Sequence, residues 1–144
     1  MKICFSTLGC PDFEWSDVYS MAKDLGFDGI ELRSLGIPAD PFRSKPFSGV
    51  SLPKTVAKLE SLHLTIPCIS SNCCLNEKEN ETQTRAELLG CMELAKAVGA
   101  TYIRILGDRN PEPSVDVDDA YVAQILTSLI LLSLILPVCK ISMW

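Results

Sequence analysis

Histidine is almost missing from this chain: 144 residues hold one, His63. That excludes an HExxH zinc site, any multi-histidine metal centre and any Cys/His dyad built without His63. His63 follows Leu62 at the end of a helical pattern, where a residue tolerant of left-handed backbone is wanted, so capping is its expected role. No GxxxxGK or GxGxxG run occurs, which removes the usual nucleotide-phosphate loops. The seven cysteines (Cys4, Cys10, Cys68, Cys73, Cys74, Cys91 and Cys139) include no CxxC spacing, so neither a zinc ribbon nor a thioredoxin-type pair is expected. Their odd number fits free, mostly buried thiols in a reducing cytoplasm. Met1-Lys2 leads into no long apolar h-region, so no secretory signal is expected. Positive charge is scarce as well: 13 Lys+Arg against 18 Asp+Glu leave a net charge of -5. That balance argues against a nucleic-acid partner, because phosphate binding needs clustered cations. Charge of either sign is nearly absent from residues 120–144, which carry only Lys140.

What is present alternates between two periods. Lys2–Leu8 sets Ile3 and Phe5 against Cys4 and Ser6, a strand pattern. Trp15, Val18, Tyr19, Ala22 and Leu25 recur at helical spacing, with Gly26 where a C-terminal cap belongs. Gly29–Leu35 forms a second strand, and Ser51-Leu52-Pro53 opens a second helix carried by Val56, Leu59 and Leu62. Ile66–Ser71 is the third strand, and the adjacent Cys73-Cys74 beyond it read as one inward and one outward strand residue, with a reactive pair as the alternative. Asn80 with Gln83 resembles a capping box for a helix lined by Leu88, Met92, Ala95 and Val98 and ended by Gly99. Thr101–Leu106 is the fourth strand.

The helix ends at Gly26, His63 and Gly99 are 37 and 36 residues apart, which is the period of one βα unit. Repeated βα units imply a parallel sheet. The fold class expected is α/β, with about four units of a (β/α)8 barrel, since a complete barrel takes about 250 residues. Residues 1–119 form the βα units and residues 120–144 an apolar tail.

Alternation places Ile30, Leu32, Ile103 and Ile105 against the helices and Glu31, Arg33 and Arg104 towards the barrel axis. Ser6, and Ser70 or Asn72, join them. Buried charges must pair or bind something. One reading is a structural Glu31–Arg33 or Glu31–Arg104 network. The other is a substrate site of Ser6, Glu31, Arg33, Ser70 and Arg104 at the C-terminal ends of the strands, where barrel active sites are built. Hydroxyls, one acid and two guanidiniums suit a polyhydroxylated or anionic small molecule. The loop Gly36–Val50, with Pro38, Pro41 and Pro46, lies over the same face, and Arg43 and Lys45 read as its solvated charges.

Three stretches together resemble the sugar phosphate isomerase/epimerase family of the xylose isomerase-like TIM-barrel superfamily: Ile3–Pro11, Ala22–Arg33 and Ala95–Gly107. The resemblance covers residues 1–125, and Gly26-Phe27-Asp28-Gly29-Ile30-Glu31-Leu32-Arg33 is its most specific part. It implies a barrel enzyme that isomerises, epimerises or dehydrates a sugar or sugar phosphate, with a divalent metal polarising the substrate while a carboxylate moves a proton. It also implies metal ligands (Glu, Asp, His, Glu) on strands five to eight. Those strands are expected to be missing here, so the metal and the catalytic acids have no counterpart among these residues. Glu31 maps onto the strand-two acid and Arg104 onto a polar strand-four position, both on the substrate side. The expectation is thus the N-terminal half of such an enzyme, truncated and inactive alone, with no cofactor of its own. A stand-alone half-barrel that binds a sugar-like molecule is the alternative. Open sheet edges further predict a homodimer that closes two halves together.

Residues 120–139 contain no charge and admit three readings. They are long enough for a membrane helix, although Gln124, Thr127, Ser128 and Ser133 and the lack of basic flanks argue against one. They also fit a fourth barrel helix, Val117–Leu134, followed by a strand at Ile135–Ile141. The third reading is an aberrant C-terminus in which an ordinary helix gives way to out-of-frame residues.

Overall fold

Strand and helix periods alternate along the chain as the sequence implies. The computed structural model describes residues 1–35, 40–75, 77–107, 118–135 and 140–143. Among them are five strands, β1 (Cys4–Ser6), β2 (Gly29–Glu31), β3 (Cys68–Cys74), β4 (Tyr102–Leu106) and β5 (Lys140–Met143). Four helices run between them, α1 (Trp15–Asp24), α2 (Leu52–Leu62), α3 (Glu81–Val98) and α4 (Asp119–Ile135). All strand pairs are parallel: β1 with β2, β3 with β4, and β4 with β5. Parallel bridges Gly29↔Thr65 and Leu32↔Ile69 join β2 to β3, so the strands follow chain order. Among the described residues β1 and β5 remain edges, and the barrel is not closed.

The helix-facing core is the one the alternation marks out. Ile30, Leu32, Ile69, Ile103 and Ile105 are fully buried, and Val18 and Ala22 of α1 and Leu88, Cys91, Met92 and Ala95 of α3 are packed into the same cluster. Helix α1 buries Trp15, Val18 and Ala22 of the expected face and half-buries Tyr19, whereas Leu25 lies past the helix end and is exposed; α2 buries Thr55 and Leu59.

Each of the first three helices ends in the same way. Gly26 (φ 74°), His63 (φ 57°) and Gly99 (φ 72°) are all left-handed. The next N–H turns back to a carbonyl five residues earlier: Phe27 to Ala22 (2.9 Å), Leu64 to Leu59 (3.0 Å) and Ala100 to Ala95 (2.9 Å). This is the Schellman arrangement, which satisfies orphan carbonyls and redirects the chain into the next strand. His63 is therefore an exposed cap.

Several expectations are corrected. Strand β3 begins at Cys68 rather than Ile66, because Pro67 has no N–H to give the ladder and serves as an acceptor from Thr101 and Tyr102. Cys73 and Cys74 are both buried, and the β3–β4 register shifts between Ser70 and Cys74, which breaks strict alternation there. The capping box at Asn80 does not form: its side chain donates to Glu77 Oε2 (3.0 Å), and a 3-10 turn, Lys78–Asn80, leads into α3. Strand five is present, with β5 pairing Tyr102↔Lys140 through Ile105↔Met143. A parallel neighbour satisfies the outer backbone groups of β4.

The apolar tail thus supplies a barrel-type helix and strand, displaced by a few residues from Val117–Leu134 and Ile135–Ile141. Helix α4 is capped by Asp118, whose Oδ1 accepts from Tyr121 N (2.9 Å). It buries Ile125 and exposes Ala123, Gln124 and Thr127. Among the described residues no helix is long and apolar enough to cross a membrane. No disulfide joins the described cysteines; Cys4 is exposed, Cys68 half-buried and Cys10, Cys73, Cys74 and Cys91 buried.

Candidate functional site

The parallel register brings the expected polar residues together. Ser6 pairs with Glu31 across β1 and β2, and Ser70 pairs with Arg104 across β3 and β4. The gap between the two pairs is closed by a side-chain bond, in which the Ser70 hydroxyl donates to Glu31 Oε1. Ser70 is fully buried; Ser6, Glu31, Arg33 and Arg104 are half-buried. In the β4–β5 ladder the register partner of Arg104 is Ser142.

Each member is held differently. Ser6 Oγ accepts from Leu8 N (3.3 Å), so this hydroxyl caps the short turn Thr7–Gly9 while standing beside Glu31. Arg33 is fixed through its backbone, where its N–H donates to the buried Thr7 hydroxyl (2.9 Å). The Arg104 carbonyl accepts from Ser71 Oγ (2.9 Å). Among the described residues neither guanidinium forms an ion pair with Glu31; the ion pairs are Arg43–Asp40, Lys78–Asp118 and Arg85–Glu81. The expected Glu31–Arg network is therefore corrected: a hydroxyl, not a guanidinium, takes the Glu31 carboxylate. A serine in the next strand reaches it without stretching a long side chain across the row.

Electrostatically the row carries one carboxylate and two guanidiniums. The Cys68 thiol feels both signs, being pushed up first by burial and then by the Glu31 charge, with Arg104 pulling against them. Cys68 therefore stays a neutral thiol beside the row. A divalent metal does not fit this donor set, because the single carboxylate already accepts from Ser70 and the neighbouring cations would repel the ion. Among the described residues no three His, Cys, Asp or Glu side chains gather into a metal-holding group.

The loop between β2 and α2 is secured to the helices. Phe47 packs on Trp15 (centroids 4.8 Å apart), and Phe42 covers Gly90 of α3 so closely that a Cβ there would come within 2.7 Å of the ring. Arg43 pairs with Asp40 (3.4 Å) and lies over Phe42, and Lys45 is exposed, so both are surface charges. Pro38 and its neighbours, residues 36–39, lie outside the described residues.

One buried group escaped the sequence reading. Glu87 lies on the core side of α3, only 7% exposed, and its Oε1 accepts from Asn72 N in β3 (2.6 Å). The available signal was a carboxylate one residue before Leu88, on the apolar stripe of an otherwise amphipathic helix.

A family model described as "Xylose isomerase-like TIM barrel" matches residues 19–132. Among solved structures, the IolI protein with a bound zinc atom superimposes with a TM-score of 0.79 at 18% identity, over 99% of this chain and 51% of that one. A xylose isomerase-like TIM barrel protein from Mycobacterium smegmatis in complex with magnesium gives 0.71 at 18% identity, over 99% and 54%. AsbF from Bacillus anthracis, a probable 3-DHS dehydratase involved in petrobactin synthesis, gives 0.69 at 17% identity, over 99% and 62%. The chain spans about half the length of the structures it matches. No curated protein matches it.

Proposed function

The chain belongs to the xylose isomerase-like TIM barrel family, and from that premise we propose that its inner strand face is the substrate-cradling part of an enzyme acting on a sugar or sugar phosphate. The observation that carries this reading is the row Glu31–Ser70–Arg104, polar groups from three adjacent parallel strands on the inner face, with Glu31 at the C-terminal end of β2, on the side where barrels place their sites, and Ser70 and Arg104 midway along β3 and β4. Ser70 occupies one Glu31 oxygen, which leaves the carboxylate oriented to accept a sugar hydroxyl on the other. Arg104 and Arg33 are suited to the oxygens of a phosphate or carboxylate, which guanidinium binds bidentately. The parent activity in this reading is metal-assisted isomerisation or epimerisation. These residues contribute binding and orientation; the 144-residue chain holds ligand without turning it over.

Calorimetric titration with fructose 6-phosphate tests the proposal. Saturable binding is expected, and Arg104→Met should weaken it about tenfold or more, the cost of a lost hydrogen bond to a charged group. Glu31→Gln should weaken it less, because the amide oxygen still accepts. Absence of binding, or binding indifferent to Arg104→Met, would refute the site. Turnover by the 144-residue chain with added zinc or magnesium would refute its role as a binding half only.

A further inference from the structure

Immediately C-terminal to Ser70, β3 departs from a regular ladder, and side chains take over its backbone. The Ser70 N–H still reaches a neighbouring strand, at Leu32 O (2.8 Å). Asn72, two residues on, has passed the end of β2, and its N–H goes to the Glu87 carboxylate of α3 (2.6 Å). The Cys73 N–H goes to Ser71 Oγ (3.3 Å), and the same hydroxyl donates to Arg104 O (2.9 Å). Regular pairing resumes at Cys74↔Leu106. Cys73 Sγ, directed at Thr84 O of α3 (3.4 Å), closes the network. Two of the proposed ligand-binding residues, Ser70 and Arg104, stand at the last regular pair before this irregularity.

We propose that Glu87 is a positioning residue: its carboxylate, with the Ser71 hydroxyl, fixes the β3 irregularity and thereby sets where Ser70 and Arg104 meet the ligand. This rests on the reading of the inner face as a ligand site. A carboxylate in an apolar helix–sheet interface is costly unless it accepts hydrogen bonds. Here it accepts from a backbone N–H that the sheet cannot satisfy. An apolar residue at position 87 would pack the same space but remove the carboxylate that accepts from the Asn72 N–H. The thiol of Cys73, pushed up to about 12 chiefly by burial, reports whether the irregularity stays closed.

The test compares Glu87→Gln, which keeps an acceptor, with Glu87→Leu, which removes it, and with Leu88→Ala as a destabilised control on the same helix. Amide exchange at Asn72 and Cys73 and alkylation of Cys73, read by mass spectrometry, should stay slow in wild type and Glu87→Gln, and in Leu88→Ala should rise no more than exchange in α1 and α2 rises. Both should speed up in Glu87→Leu while α1 and α2 keep their protection. Fructose 6-phosphate affinity should fall about tenfold in Glu87→Leu and stay near wild type in the other two, as expected for one lost hydrogen bond to a charged group. Unchanged exchange and affinity in Glu87→Leu would overturn the proposal. So would an equal loss of affinity in Leu88→Ala, which would make the effect one of general stability. If Glu87→Leu does not fold, Ser71→Ala takes its place, with faster Cys73 exchange expected and unchanged exchange overturning the assignment. Failure of wild type to bind would sink the ligand site, while the exchange and alkylation arms would still decide what Glu87 does to the backbone.

Discussion

Gly29 illustrates how much a single position carries. It lies in the stretch most specific to the family, and its backbone needs no left-handed angle. Space is what demands glycine: a Cβ would meet the Thr65 carbonyl oxygen and hydroxyl at 2.8 Å and Cys4 Sγ at 3.0 Å. Two of those atoms belong to the bridge between β2 and the approach to β3, where Ile30 N donates to Thr65 O (2.9 Å) and Thr65 N to Asp28 O (3.1 Å). Gly29→Ala must therefore push a hydrogen-bonded backbone aside, and it is expected to cost about 1–3 kcal/mol in urea unfolding, the range for overpacking a tight interior site. Gly26→Ala meets no such atoms, and only its φ of 74° opposes it. A Gly29→Ala variant as stable as wild type would show that the β2–β3 bridge yields without cost.

At the scale of elements, the 37- and 36-residue spacing was legible because it repeats one physical device, the left-handed C-cap that feeds each helix into a strand. The same conformation is occupied by glycine twice and by histidine once, which makes its energetic cost measurable. A side chain in left-handed backbone costs about 1–2 kcal/mol, partly offset by the greater freedom glycine loses on folding. Gly99→Ala should accordingly destabilise by about 1 kcal/mol and His63→Gly should be neutral or mildly stabilising, both read from thermal or urea unfolding. Marked destabilisation by His63→Gly would mean that the imidazole does something besides cap α2. The strand faces were legible for a similar reason: period two puts Ile30, Leu32, Ile103 and Ile105 on one side and Glu31, Arg33 and Arg104 on the other. What escaped the sequence were features decided by contacts distant along the chain. The Asn80 box failed because Glu77 attracts the side chain first. The β3 irregularity, beside which Cys73 and Cys74 are both buried, is bonded to Glu87 and Ser71, whose partners no local pattern reveals. The tail was ambiguous because an apolar helix in a barrel and one in a bilayer share a composition; the pairing of β5 with β4 separates them.

For the molecule as a whole, five parallel strands in chain order leave the outer edges of β1 and β5 without partners among the described residues. The inner face is correspondingly open. Tyr102, which pairs with Cys68 on that side, is 42% exposed, far more than a closed and filled barrel interior would leave it. Exposed Ile3, Leu8 and Phe13 flank β1. Unpaired edges beside apolar surface favour pairing with another chain. In a parallel sheet such pairing has a directional constraint: a two-fold axis along the strands keeps every strand parallel and sets β5 of one copy beside β1 of the other, twice. Self-association of the 144-residue chain is therefore expected, with the dimer gaining on the monomer as concentration rises in light scattering. Charged substitutions at the β1 edge, such as Ile3→Lys, should shift the balance back towards monomer, since edge lysines oppose strand pairing. Because the same association would enclose the Glu31–Ser70–Arg104 row, fructose 6-phosphate should bind the associated form more tightly and draw the equilibrium towards it. A monodisperse monomer across the concentration range, unmoved by ligand, would show that the open sheet is stable by itself and that whatever the row binds is held on an exposed face.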